Sequence, residues 1–210
     1  MTRGRFITIE GGEGAGKSTQ QKIVVEAVAR AGIEAVATRE PGGAAGANEI
    51  RALLLNGAPE RWDAVSEALL MVAARRCHLV ETVRPALERG AWVICDRFSD
   101  STIAYQGYGG GVPRERLAEL HRLIAGDFQP DLTLILDLPV KVGLERAIRR
   151  GGERRFEMKG TAFHERVRQG FREIARAEPQ RCVLIDARGD VGAVSEAILT
   201  VLHERLGLAS

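Results

Sequence analysis

Phe6-Ile7-Thr8-Ile9-Glu10-Gly11-Gly12-Glu13-Gly14-Ala15-Gly16-Lys17-Ser18 decides the fold. A short apolar run leads into a match to GxxxxGK[ST]. A helical pattern follows over 17–31, with Ile23, Val24, Ala27 and Val28 on one face and Gly32 as its stop. The glycines let backbone N–H groups converge on phosphate oxygens without a Cβ in the way. The positive end of the helix macrodipole adds a fixed attraction for anions. Candidate phosphate-binding residues are therefore Gly11, Gly12, Glu13, Gly14, Ala15, Gly16, Lys17, Ser18 and Thr19. In this pattern Lys17 reaches the β- and γ-phosphates of a nucleotide such as ATP, and the Ser18 hydroxyl is a ligand for Mg²⁺.

Four further runs read as strands: Ala35-Val36-Ala37-Thr38, Trp92-Val93-Ile94-Cys95, Leu132-Thr133-Leu134-Ile135-Leu136 and Cys182-Val183-Leu184-Ile185. They are mostly continuous apolar runs, as expected of strands covered on both faces of a parallel sheet. Helical patterns fill the gaps, the last carrying Val191, Val194, Ile198, Val201 and Leu202 on one face. The expectation is an α/β domain with a five-stranded parallel sheet and helices on both faces. No repeat, low-complexity tract or linker divides the 210 residues, so 1–210 is read as a single domain.

Bulk properties narrow the function. Thirty basic residues face 28 acidic ones, so the formal charge of +2 leaves no footprint for non-specific nucleic-acid or membrane binding. Cys77, Cys95 and Cys182 are widely spaced, and the four histidines are scattered, so neither a disulfide framework nor a zinc site is indicated. No apolar stretch approaches a membrane span, and Arg3 leads straight towards the first strand without room for a signal peptide. A reduced, cytoplasmic protein is expected.

Among nucleotide-binding proteins with this loop, a GTPase should carry Asn-Lys-x-Asp, which does not occur here, and partition-type ATPases place a second lysine where this chain has Gly12. The third strand instead ends in Asp96-Arg97. An aspartate there faces the ligand crevice of an open parallel sheet and can hold Mg²⁺. The following arginine can fork two donors onto a phosphate.

Thr38-Arg39-Glu40-Pro41-Gly42-Gly43, Asp96-Arg97-Phe98 with Ala104-Tyr105-Gln106-Gly107, and Pro130-Asp131-Leu132-Thr133 occur in this order across nearly the whole chain. Together they resemble the motifs of bacterial thymidylate kinases. The resemblance implies a P-loop NTPase fold of the nucleoside-monophosphate-kinase type with a lid. It also implies transfer of a phosphoryl group from ATP to thymidine monophosphate (dTMP), a requirement for Mg²⁺ held by Ser18 and Asp96, and a homodimer packed through helices. Glu13 would meet the deoxyribose 3′-hydroxyl, while Arg39, Arg51 and Arg97 would hold the acceptor phosphate. Met71 and Arg75, four apart on one helical face, match positions that similar enzymes fill with a base-stacking phenylalanine and a base-reading arginine. The thioether of Met71 can still pack flat against a base. Thr102 and Gln106 resemble the pair near the thymine edge and sugar, with Tyr105 in the wall that excludes a ribose 2′-hydroxyl.

The cradle offers no arginine at its variable positions, whereas Arg149-Arg150-Gly151-Gly152-Glu153-Arg154-Arg155-Phe156-Glu157 offers several on a glycine-hinged stretch. It resembles the lid, about 149–160, of the subgroup that places its catalytic arginine there. Matched to that pattern, Arg155 is the expected catalyst, with Arg154 beside it; it joins Lys17 in stabilising the transferring phosphoryl, while Arg97, the third catalytic candidate, positions the acceptor phosphate. Two other readings are a kinase for another nucleotide or nucleoside and an ATP-driven interaction switch.

Overall fold

The computed structural model describes residues 3–58, 60–151 and 155–209. Five strands, β1 (Phe6–Gly11), β2 (Ala35–Arg39), β3 (Trp92–Asp96), β4 (Leu132–Asp137) and β5 (Cys182–Asp186), form one parallel sheet in the order β2-β3-β1-β4-β5. The expected five strands are all present. β1 lies at the centre, with Phe6 opposite Val93 on one side and Ile7 opposite Leu132 on the other.

Both faces of the sheet are covered, which accounts for the continuous apolar runs. On one face Ile7, Ile9, Ile94, Leu134 and Ile185 pack against Val24 and Val28 of α1 (Lys17–Arg30) and Val194, Ile198 and Leu202 of the C-terminal helix Val191–Leu206. On the other, Phe6, Val93 and Cys95 meet Leu79, Val83 and Leu87, while Ile135 meets Phe163, Val167 and Phe171. No helix among the described residues is long and apolar enough to cross a membrane.

After β2 the chain forms α2 (Ala45–Leu55) and α3 (Ala64–His78). Asp63 caps α3, its Oδ1 accepting from the backbone N–H groups of Val65 (2.8 Å) and Ser66 (2.9 Å). A π-helical stretch, Leu79–Val83, carries α3 into α4 (Arg84–Glu88). A second stretch of this kind, Ile103–Gly109, follows the short α5 (Ser99–Thr102) after β3. Such insertions recur at functional sites, and this one carries Tyr105 and Gln106. The remaining helices are α6 (Arg114–Ala125), α7 (Val140–Arg150), α8 (Thr161–Ala177) and the C-terminal α9 (Val191–Leu206).

Two features aim the site. Gly143 of α7 lies so close to the loop after β1 that a Cβ on it would fall 2.3 Å from the Glu13 carbonyl oxygen. Glycine there lets the helix that leads into the expected lid rest directly on the cradle. On the opposite side Glu10, fully buried at the end of β1, accepts hydrogen bonds from the Phe98 N–H (2.7 Å) and the Ser101 hydroxyl (2.6 Å). It thereby ties the turn after β3 to the central strand. Burial, assisted by nearby Asp100, pushes the Glu10 carboxyl up to about 8 against the lowering pull of Ser101, Arg97 and Phe98.

An unfolded chain releases this proton near 4.5. Glu10 therefore favours the folded state at low pH, and that contribution is lost as pH rises through about 8. The melting temperature should fall between pH 5 and pH 8.5, and Glu10→Gln should flatten that fall. Equal slopes for the two proteins would contradict the assignment.

Candidate active site

The cradle lies between the C-terminal ends of β1 and β3, the crevice that open α/β sheets use for ligands. Gly16 takes a left-handed conformation (φ 93°) and turns the chain into α1. The Lys17 ammonium folds back over the loop, donating to the carbonyls of Gly11 (3.2 Å) and Gly12 (2.7 Å). The Ser18 hydroxyl donates to Asp96 Oδ2 at 2.7 Å. One helix start and one strand end thus bring together two hard oxygen donors beside an ammonium, a donor set that suits Mg²⁺ in company with phosphates.

Arg97 is the one described non-glycine residue with a positive φ, 72°. The surroundings hold it in this costly conformation. Its Nη1 donates to the Gly11 carbonyl (3.0 Å) and the Ser101 hydroxyl (3.1 Å), and its Nη2 to Glu13 Oε1 (2.9 Å) and the Tyr105 hydroxyl (2.9 Å). The Tyr105 hydroxyl in turn donates to Glu13 Oε1 at 2.7 Å. Burial alone would raise the Glu13 carboxyl, but Arg97, Lys17 and the Tyr105 hydroxyl outweigh it and hold the acid at about 2. Burial likewise works against the Arg97 charge, and Tyr105, Glu13, Asp96 and Glu10 more than restore it. An acid, a guanidinium and a phenol thus stand charge-compensated where the sequence expects a phosphorylated sugar.

A second buried network forms the other end. Arg75, 2% exposed, donates from Nε to Glu40 Oε2 (2.7 Å) and from Nη2 to the Thr102 hydroxyl (2.9 Å), with its guanidinium 5.0 Å from the centre of the Phe98 ring. His78 bridges Glu40 Oε1 (2.9 Å) and the Thr38 hydroxyl (2.7 Å). Burial raises the Glu40 carboxyl, yet Arg75 and His78 bring it below the ordinary range. Half-buried Met71 stands one helical turn before Arg75. The Gln106 amide donates to Glu67 Oε2 at 3.1 Å.

Both networks open into one cavity of about 480 Å³, within the range of small-molecule sites. Gly14, Ala15, Gly16 and Thr19 line it together with Lys17, Ser18 and Asp96. So do Glu13, Arg97 and Tyr105, and at the far end Met71, Arg75, Thr102 and Gln106. Arg39 reaches it as an exposed side chain, while Arg51 donates to the Pro41 carbonyl (2.8 Å) at its edge. Gly11 and Gly12 supply carbonyls beneath the cradle without lining the cavity.

Arg155 lies apart from this group. It is 2% exposed and donates to the carbonyls of Leu54 (3.2 Å), Ala58 (3.1 Å) and Trp62 (3.4 Å) and to Glu67 Oε1 (2.7 Å). The electronegative end of α2 and a buried carboxylate draw the guanidinium there rather than over the cradle. Gly152, Glu153 and Arg154 lie outside the described residues. Phe156 and Glu157, which follow Arg155, do line the cavity.

Sequence reasoning passed over Glu10, Glu40, Glu67 and His78. Each is buried, and each positions a residue that faces the cavity. An acid closing an apolar strand beside the cradle was the one available signal, for Glu10. The pairing of Glu40 with Arg75 spans 35 positions and leaves no local trace.

The sequence profile of the family described as Thymidylate kinase matches residues 9–198. The chain is 57% identical to "Thymidylate kinase" of Caulobacter vibrioides, across 99% of this chain and 100% of that protein. It is 50% identical to "Thymidylate kinase" of Pseudomonas fluorescens, across 97% of each. The crystal structure of thymidylate kinase from Ehrlichia chaffeensis superposes with a TM-score of 0.79 at 35% identity, covering 95% of this chain and 99% of that one. With the cradle, the Asp96-Arg97 turn and the full length matched, the chain belongs to the thymidylate kinase family of nucleoside monophosphate kinases.

Proposed function

We propose that the protein transfers the γ-phosphoryl group of ATP to the phosphate of dTMP, giving ADP and dTDP, with Mg²⁺ held by Ser18 and Asp96. The observation that carries this reading is the continuity of the cavity. A phosphate cradle built on Gly14, Gly16 and Lys17 opens directly onto an acid–guanidinium–phenol cluster and then onto the end lined by Met71 and Arg75.

Phosphoryl transfer is mostly positioning plus stabilisation of spread negative charge. Lys17 rests on two loop carbonyls that any phosphate oxygen outcompetes as a partner for an ammonium. It would exchange them for the transferring group. Mg²⁺ supplies charge neutralisation across the donor's terminal phosphates when bound. Arg97 would hold the acceptor phosphate, aided by Arg39 and Arg51. As the acceptor enters, Glu13 would exchange Arg97 for the sugar 3′-hydroxyl.

The positioned guanidinium of Arg75 would read a base carbonyl, Thr102 and Gln106 would border the base and sugar, and Met71 would form the platform. Tyr105, buried and pinned by Glu13 and Arg97, would leave no room for a ribose 2′-hydroxyl. The exposed apolar side chains Leu53, Val65 and Leu69 on α2 and α3 support a homodimer packed through these helices. The three free thiols fit a reducing cytoplasm.

The test is ADP release from ATP and Mg²⁺ with dTMP, dUMP, dCMP, dGMP, AMP and thymidine offered separately. Strong stimulation by dTMP, with dUMP weaker, is the expected result. Stimulation by a different acceptor would overturn the pocket reading, and no stimulation at all would favour the interaction switch. Aromatic stacking on a base contributes about 1–3 kcal/mol over alanine. Met71→Phe should therefore lower the KM for dTMP roughly three- to tenfold and leave kcat within about twofold. An unchanged or raised KM would remove Met71 from the base platform.

A further inference from the structure

Glu67 is 1% exposed, sits in the first turn of α3, and takes part in no step described above. Its two carboxylate oxygens face two different parts of the molecule. Oε1 accepts from Arg155 Nη2 (2.7 Å) and Lys159 Nζ (2.6 Å), both from the chain that follows α7. Oε2 accepts from the amide of Gln106, which lines the acceptor end of the cavity.

One buried acid therefore ties the returning lid to the acceptor pocket. Between its two lid partners stands Phe156, whose ring lies under the Arg155 guanidinium (5.3 Å) and the Lys159 ammonium (5.1 Å) and meets the Tyr105 ring edge-on at 5.9 Å. Phe156 and Glu157 then complete the cavity wall. A buried carboxylate opposite two cations is costly when either side is removed, so the contact can hold the two parts together as a latch.

We propose that Glu67 is a positioning residue that latches the lid through Arg155 and Lys159 and, through Gln106, couples lid closure to occupation of the acceptor pocket. The reading rests on the kinase reaction proposed above. It gives Arg155 a mechanical role, holding the wall that keeps water from the transferring phosphoryl. Water exclusion would then follow from the acceptor being in place.

The wild-type acceptor panel is run first, so that failure of the kinase reading is seen separately from failure of the latch. ADP and dTDP are then quantified for Glu67→Gln, Arg155→Met, their double variant, and Lys159→Met, whose partly exposed side chain can be changed without opening the core. The expected result is a tenfold or greater loss of kcat/KM for dTMP in Glu67→Gln, carried mainly by KM, with KM for ATP within twofold of wild type. ADP released per dTDP formed should rise above one. The double variant should be no worse than the poorer single one, and Lys159→Met should shift the same quantities in the same direction. Loss of stability alone would not uncouple ADP release from dTDP formation. Wild-type coupling in Lys159→Met and a folded Glu67→Gln would overturn the proposal. So would a kcat lost in Arg155→Met and kept in Glu67→Gln, which would put Arg155 on the phosphoryl group itself.

Discussion

The Arg97 guanidinium, clasped between the Gly11 carbonyl and the Glu13 carboxylate, is the contact on which the site's geometry depends. It joins the loop after β1 to the turn after β3, and so closes the crevice between two neighbouring parallel strands. Arg97 can do this only from a left-handed backbone, and the neighbouring turn is held by Glu10 through Phe98 and Ser101. The clasp sits where the cradle meets the acceptor end. With it they form one cavity in which a donor phosphate and an acceptor phosphate can meet.

The same economy recurs around the cavity. Three side chains expected to touch substrate are held by charged or phenolic partners: Arg75 by Glu40, Gln106 by Glu67, and Arg97 by Glu13 and Tyr105. Fixed donors stabilise charge without reorganising at the moment of reaction. In the closed network around Glu40, His78 and Thr38 every polar partner is satisfied, which is the condition for such burial to rigidify rather than destabilise. Lys17 differs. It lies on weak carbonyl partners, ready to exchange them for phosphate.

Most of the fold was legible because it is written in short-range signals. The five strands are apolar runs, and the cradle is a contiguous pattern. Strand order was not legible, since it depends on which edges pair across the whole chain. The cavity-facing candidates from Glu13 to Gln106 could be named from local motifs, and the fold brings them to one cavity. Their buried supports could not. Glu40, Glu67 and His78 act through partners 35–92 positions away, and a glutamate in an amphipathic helix looks like any solvated acid. Arg155 shows how tertiary contacts add to a motif. A motif marked it for the phosphoryl group, while a buried carboxylate and the end of a helix, invisible in sequence, hold it elsewhere.

A crystal structure of the protein with dTMP bound tests the central claim most directly. The account predicts the acceptor phosphate on Arg97, the Glu13 carboxylate moved from Arg97 to the 3′-hydroxyl, and the base lying on Met71 with a carbonyl at Arg75. A complex in which the 2.9 Å Glu13–Arg97 contact and the Tyr105 hydrogen bond persist while the phosphate sits away from Arg97 would contradict it.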